Sequence, residues 1–277
     1  MGVRVRKAAP CDRLAVEALC RKARYALPRL WWWEEHLADD LFVVVERDEA
    51  VVGALFAWPD ESPVAWVRLA AVDDSLGVGE WLSLTLDAVI DGLRRRVTRK
   101  LAWLDYGGWA GPYLRSSNFN PRTDVVTLTK FDRVLPRVSA VDVCLRSASG
   151  MDISEIVAID RAAFTPHWWH SESTIRRRIT ELSYFVVAEA AGKVIGYAEG
   201  ALRSPVAHLN RLAVRPAYQG YGVGALLLRD SLCAFWRRGA GRITLNTQVD
   251  NRSSLRLYRR FGFEPIGDRV TAWELQL

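Results

Sequence analysis

LNRLAVRPAYQGYGVGALLLRDSL, residues 209–232, is the stretch whose reading decides the fold. It reads as a strand (Leu209–Val214), a turn opened by Pro216, a loop with Gly220, Gly222 and Gly224, and a helix carrying Val223, Leu226, Leu227, Leu228 and Leu232. Glycines let backbone N–H groups come close to an oxyanion, and the unpaired amides and dipole of a helix N-terminus favour negative charge. A phosphorylated ligand is the first expectation.

Two patterns fit the loop. Gly220-x-Gly222-x-x-Ala225 satisfies the dinucleotide fingerprint, but that fold needs an acidic residue about 20 positions on and further βα units. The next strand, RITLNTQ, offers Asn246, and little chain follows. The other pattern, QxxGxG from Gln219 to Gly224 after Leu212-Ala213-Val214, resembles the acetyl-CoA loop of the GCN5-related N-acetyltransferases. NRSSLRLYRRFGFEP, residues 251–265, resembles that family's downstream Asn, Tyr and Gly-Phe motif. The resemblance implies acetyl-CoA held by Leu212, Ala213, Val214, Gln219, Gly220, Tyr221, Gly222, Val223, Gly224, Ala225, Asn251 and Tyr258, with Tyr258 protonating the departing thiolate. The residues alone also read more plainly: Asn251 is placed to N-cap the helix SSLRLYRRF, and Tyr258 to pack it.

Outward from this stretch, the chain repeats. Residues 51–72 line up with 194–214: Ser62-Pro63-Val64-Ala65 matches Ser204-Pro205-Val206-Ala207, and Gly77-Val78-Gly79 matches Gly222-Val223-Gly224. Phe119 and Pro121 match Phe263 and Pro265, and Val126-Thr127 matches Val270-Thr271. A period this long means a duplicated domain rather than a solenoid. The expected division is 1–136 and 137–277, at Pro136 in RVLPRVSA. Each copy reads as strand, helix, a tryptophan-bearing segment, two apolar strands, then strand, glycine loop, long helix, strand, short helix and final strand. The class is α+β, two tandem acetyltransferase-like domains, each a mixed twisted sheet flanked by helices.

The copies differ where chemistry would happen. Between Val72 and Gly77 stand four residues, DDSL; between Val214 and Gly222 stand seven, RPAYQGY. Asp73 and Asp74 repel phosphate, and Leu114 stands opposite Tyr258. The first copy is therefore expected to keep the fold and lack the cofactor site.

The chain has 277 residues, half of them hydrophobic and a quarter charged, at net charge +6. Residues 139–277 carry 18 Lys/Arg against 13 Asp/Glu, a basic excess suited to coenzyme A. The runs Arg94–Arg96 and Arg176–Arg178 fall in amphipathic helical patterns, so nucleic acid is not expected. Cys11, Cys20, Cys144 and Cys233 show no metal or disulfide spacing. No apolar run is long enough for a membrane span or signal peptide, and the expected location is cytoplasmic, without a membrane partner.

Acyl transfer to an amine needs a neutral nucleophile, an oxyanion site and an acid for the sulfur. The base stays open between His208, whose strand HLNRLAV resembles the arylalkylamine acetyltransferases, Glu199 on the preceding strand, and a water chain. The half also resembles ribosomal-protein alanine N-acetyltransferases, which carry a glutamate where this chain has Asn246. HWWHSES, residues 167–173, lies where the resemblance puts the acceptor pocket: Trp168 and Trp169 read equally as stacking platforms or core cover, and His167 and His170 lack a third metal ligand. Trp31–Trp33 stand at the analogous place in the first copy. The expected acceptor is an amine, a small molecule or a protein N-terminus, and a non-catalytic CoA-binding module is the alternative. The tandem arrangement itself resembles mycothiol synthases.

Overall fold

In a computed structural model, described for residues 2–27, 33–60, 63–138 and 142–277, the chain forms two compact units. The first comprises residues 1–123 and 270–277, the second residues 124–269. The division expected at 136/137 is thereby corrected. The two repeats exchange their last strands.

The first unit holds β1 (Val3–Lys7), α1 (Arg13–Lys22), β2 (Tyr25–Ala26), β3 (Phe42–Arg47), β4 (Ala50–Trp58), β5 (Val64–Val72), α2 (Val78–Arg95), β6 (Lys100–Asp105) and α3 (Gly111–Ser116). β7 (Asn120–Lys130) leaves this unit at Thr123 and pairs with the second unit's β12 (Arg242–Gln248), Ile243 opposite Lys130 through Gln248 opposite Val125. The rest of the second unit is β8 (Cys144–Ser147), α4 (Ile153–Ala163), α5 (Glu172–Glu181), β9 (Tyr184–Ala190), β10 (Lys193–Arg203), β11 (Val206–Val214), α6 (Val223–Arg237) and α7 (Arg252–Arg260). β13 (Glu264–Gln276) starts there and, from Val270, returns to the first unit to pair with β6, Thr271 opposite Asp105. The exchanged strands enter the receiving cores: Leu128 is buried among second-unit residues and Trp273 among first-unit residues.

Strand order in the first unit is β1-β3-β4-β5-β6-β13, and in the second β8-β9-β10-β11-β12-β7. Neighbours are antiparallel except β5–β6 and β11–β12. This is the expected mixed α+β sheet. Both faces of each sheet are apolar and covered by helices: α6 packs Leu227, Leu228, Leu232 and Phe235 on one face of the second, while α4 and α5 pack Ile156, Ile159 and Ile175 on the other. The repeat extends to irregularities. β4–β5 and β10–β11 carry the same bulge, after the pairs Phe56–Leu69 and Glu199–Arg211. An ion triad recurs too: Arg6 with Asp12 and Glu46, and Arg146 with Asp152 and Glu189.

Trp33 of the first unit is 2% exposed, which assigns it to packing, whereas Trp31, Trp32 and Ser62 lie outside the described residues. The first strand of the second repeat begins at Cys144, and Val141, where it was expected to begin, lies outside the described residues.

Candidate active site

β11 and β12 run side by side for four residue pairs, Val206–Arg242 to Leu209–Leu245, and then part. β11 continues to Val214 on β10 alone, with Gly196 opposite Val214. The Arg215 amide donates to the Ile195 carbonyl of β10 at 2.8 Å. Successive amides on a strand point to opposite edges, so those of Leu212 and Val214 point away from β10, into the wedge where β12 has left. The Val214 carbonyl points the same way and accepts from Gln219 Nε2 at 2.9 Å. The wedge thus presents a row of backbone groups with which an amide-bearing chain can pair as a strand would.

At the end of this edge lies the glycine loop. Gly220 and Gly222 sit at φ 85° and 90°, the left-handed region that glycine tolerates without strain. Gly222 is the N-cap of α6 and has no side chain to cap it, so the amides of the first turn, Val223, Gly224 and Ala225, stay open for an anion. A Cβ built on Gly224 would meet Leu212, Val214 and Leu257 at 3.6–3.8 Å, ordinary contact. Neither backbone conformation nor crowding by the protein's own atoms therefore requires glycine at 224. Tyr221 is 72% exposed between the two turn glycines.

Asn251 takes the plain role: it N-caps α7, its Oδ1 accepting from the Ser254 amide at 3.2 Å. Tyr258 is buried on α7 against Phe263, ring centroids 5.9 Å apart. Burial pushes its phenol up to about 12, against a hydrogen bond with Ser254. A phenol in that state keeps its proton at neutral pH and can only donate or accept a hydrogen bond.

His208 sits on β11 opposite Thr244 of β12, Nδ1 2.8 Å from Thr244 Oγ1. That hydroxyl donates to the Ala207 carbonyl at 3.2 Å. With its single proton so used, the hydroxyl accepts from His208 Nδ1–H, which leaves Nε2 with a free lone pair. Burial holds His208 below the ordinary histidine range, so the ring is neutral at pH 7. Glu199 is 1% exposed on β10, paired through Oε1 with Arg178 of α5, while its Oε2 has no hydrogen-bond partner among the described residues. Burial raises its carboxyl, against the pull of Arg178 and Arg211.

Residues beyond those expected complete the α4/α5 face. Asp160 Oδ2 accepts from Tyr197 Oη at 2.5 Å and Arg211 Nε at 2.6 Å, and its Oδ1 accepts from the His170 amide at 3.0 Å. Each is one polar residue in an apolar pattern, a signal visible only by setting the two copies side by side. Asn246 is exposed and accepts from Thr127 Oγ1 at 2.9 Å. His167 and His170 belong to no group of potential metal ligands among the described residues.

The matching wedge of the first unit is filled by the chain itself. β5 and β6 part after Trp66–Ala102, as β11 and β12 do. β4 occupies one edge of β5, with Gly53 opposite Val72 and Ala54 opposite Ala71. β2 therefore lies on the other edge, Tyr25 opposite Val72 and Ala26 opposite Ala71, and the Leu27 amide donates to the Ala70 carbonyl at 2.8 Å. Ala70, Ala71 and Val72 correspond to Leu212, Ala213 and Val214 in the repeat. The Tyr25 ring lies 5.6 Å from Trp109, which in turn contacts Trp81 and Trp103. The shortened loop closes on itself: Asp73 accepts from the Ser75 amide at 2.7 Å, a bond that keeps its carboxyl ionised below the usual range. Gly77, at φ −63°, makes no left-handed turn.

Residues 153–263 match the model of the acetyltransferase (GNAT) family. The match lies wholly within the second unit. A Bacillus subtilis (strain 168) protein provisionally named ribosomal protein bS18-alanine N-acetyltransferase is 28% identical over 120 residues, 43% of this chain and 78% of that protein. The mycothiol acetyltransferase of Nocardia farcinica (strain IFM 10152) is 28% identical over 147 residues, 47% of this chain and 48% of that protein, so the chain spans about half of that relative. The tandem GNAT protein from the clavulanic acid biosynthesis pathway superposes over 99% of this chain and 98% of its own at a TM-score of 0.68 and 20% identity. A GCN5-related N-acetyltransferase from Sphaerobacter thermophilus does so over 99% and 95% at 0.68 and 17%. These two likenesses establish the tandem GNAT fold over the whole chain. No helix among the described residues is long and apolar enough to cross a membrane.

Proposed function

We propose that the second unit binds acetyl-CoA and transfers its acetyl group to a primary amine by direct attack in a ternary complex. The observation that carries this reading is the wedge: an open β11 edge leading to a glycine loop and an uncapped helix N-terminus, groups that suit an amide-bearing arm ending in phosphates. Acetyl-CoA supplies the activated acyl group. The outward amides of Leu212 and Val214 bind its arm and polarise the carbonyl, and the amides of the 220–225 segment take its pyrophosphate, in a basic half-chain.

His208 serves as the base. Its neutral ring, with Nδ1–H fixed on Thr244, offers Nε2 to the ammonium or a bridging water and takes the proton that must leave before nitrogen attacks. Tyr258 then gives its proton to the departing sulfur, a donor kept protonated by burial. Glu199 suits the base role less, because Arg178 already engages its carboxylate.

The acceptor is an amine, a small molecule in the first instance. A protein N-terminus is the second reading, supported by the likeness to the bS18-alanine relative and weakened by Asn246, which cannot take a proton. The expected location is the cytoplasm. The deciding experiment offers phenethylamine, putrescine, glucosamine and an alanine-initiated peptide with acetyl-CoA. Thiol release above the acceptor-free rate is expected with at least one. CoA binding without any such release would instead make this unit a CoA-binding sensor.

A further inference from the structure

The two units provide an internal control for buried charge. The pair at the bulge is Phe56 opposite Leu69 in the first unit and Glu199 opposite Arg211 in the second. Two pairs further along, Ala54 opposite Ala71 becomes Tyr197 opposite Ala213. Counted from the shared Asp12 and Asp152, Cys20 of α1 becomes Asp160 of α4. Cys20, Ala54, Phe56 and Leu69 all lie in or against one apolar cluster of the first unit. The fold at these positions is therefore made without charge, and buried ion pairs are weak sources of stability beside well-packed apolar residues. The second unit keeps them for another reason.

Arg211 shows what that reason is. Its side chain is 9% exposed, and Asp160 beside it is fully buried. The guanidinium lies 3.8 Å from the Phe164 ring centroid, donates to the Trp168 carbonyl, and has Nη1 3.3 Å from His170 Nε2. Asp160 meanwhile takes the His170 amide. The Arg211–Asp160 pair thus meets the segment between α4 and α5 at three points, Phe164, Trp168 and His170. Arg211 is also the residue before Leu212, whose amide lines the open edge of β11.

We infer that Arg211 is a positioning residue that fixes the Phe164–His170 segment, as one wall of the acceptor site, against the strand that presents the thioester. This rests on the acyl-transfer reading above. Arg211 touches neither reactant; it sets where the amine stands relative to the acyl carbon, a placement on which rate depends steeply.

R211K is the test, because lysine keeps the positive charge beside Asp160 but has a single nitrogen and cannot also span Trp168 and His170. Hydrogen exchange of the amides in 164–171 should accelerate about tenfold in R211K, while Y197F, which removes the hydroxyl that Asp160 and Arg211 Nε share but none of the bonds to the segment itself, should leave it within about twofold of wild type. CoA affinity, measured with CoA itself, should change less than about twofold, whereas kcat for the active amine falls about tenfold. Should R211K fail to fold, F164L removes only the ring under the guanidinium and should loosen the same amides about threefold. Unchanged exchange in the folded variant, or equal loosening by Y197F, overturns the inference. The exchange readout needs no turnover, so failure of acyl transfer and failure of the clamp are separately visible.

Discussion

The two units share a frame down to a β-bulge, yet one places His208, Glu199, Arg211 and Tyr258 where the other places Trp66, Phe56, Leu69 and Leu114. The correspondence at the last position is fixed by hydrogen bonds: the Phe263 amide donates to the Tyr258 carbonyl at 3.0 Å and the Phe119 amide to the Leu114 carbonyl at 2.9 Å. One unit leaves its wedge open; the other fills it with β2. The lesson is that splaying two parallel strands belongs to the fold, whereas leaving the wedge empty and polar belongs to function. A sheet edge inside a protein must be satisfied by something, and in the first unit the chain's own strand does it.

The largest effect that sharpens this contrast should come from His208→Gln, which is expected to lower kcat/KM by about 10²–10⁴-fold, while the reciprocal Trp66→His creates no second activity. Wild type carries a pH signature. The base works when neutral, and burial lowers its folded pKa, so activity should persist below pH 6.5 and fall only as pH drops through the lowered value. An acidic limb above 6.5 would remove His208 from the role. The unfolded chain binds the proton more readily in that window, so His208's contribution to stability is also lost as pH falls there.

Tyr258→Phe should reduce kcat by about 10–10³-fold with CoA affinity unchanged. Because burial holds the phenol at about 12, wild-type kcat should show no Tyr258 limb through pH 10. The matched Leu114→Ala breaks the comparison the other way. Leu114 is fully buried, so the variant should lose about 2–5 kcal/mol of stability and no turnover at temperatures where it stays folded. Thermal unfolding and steady-state rates on the same samples separate the two outcomes.

The loop and the repeat were legible because glycine spacing and matched motifs are local signals. The exchange of last strands was not. Val126-Thr127 and Val270-Thr271 have the same alternation, so either strand fits either sheet, and a pattern of period two says nothing about which partner it meets. β2 was hidden for a different reason: Tyr25-Ala26 is too short to carry periodicity. The loop-length argument pointed to a lost cofactor site in the first copy, but the stronger obstacle is a strand already bonded to the edge of β5. Arg211 and Asp160 were passed over as single charges in apolar runs. Asn251 read as a cap and is one.

The smallest effect concerns that cap. Asn251→Ala should cost about 1 kcal/mol, the usual value of a lost N-cap, seen as a modest fall in Tm. If CoA affinity falls tenfold as well, about 1.4 kcal/mol in binding, Asn251 also touches the cofactor, and the second unit has spent one residue on both tasks.

Whether the duplicated frame holds one cofactor or two is the central question, and calorimetric titration with CoA answers it directly. The account predicts one site per chain. Gly222→Glu should abolish it, since that position sits at φ 90° where an L side chain is strained and a carboxylate would face the phosphates. Gly77→Glu should leave it untouched: its φ is −63° and a Cβ there meets nothing within 4 Å, so the variant is expected to fold. Two sites of similar affinity, or loss of binding on Gly77→Glu, would contradict the account.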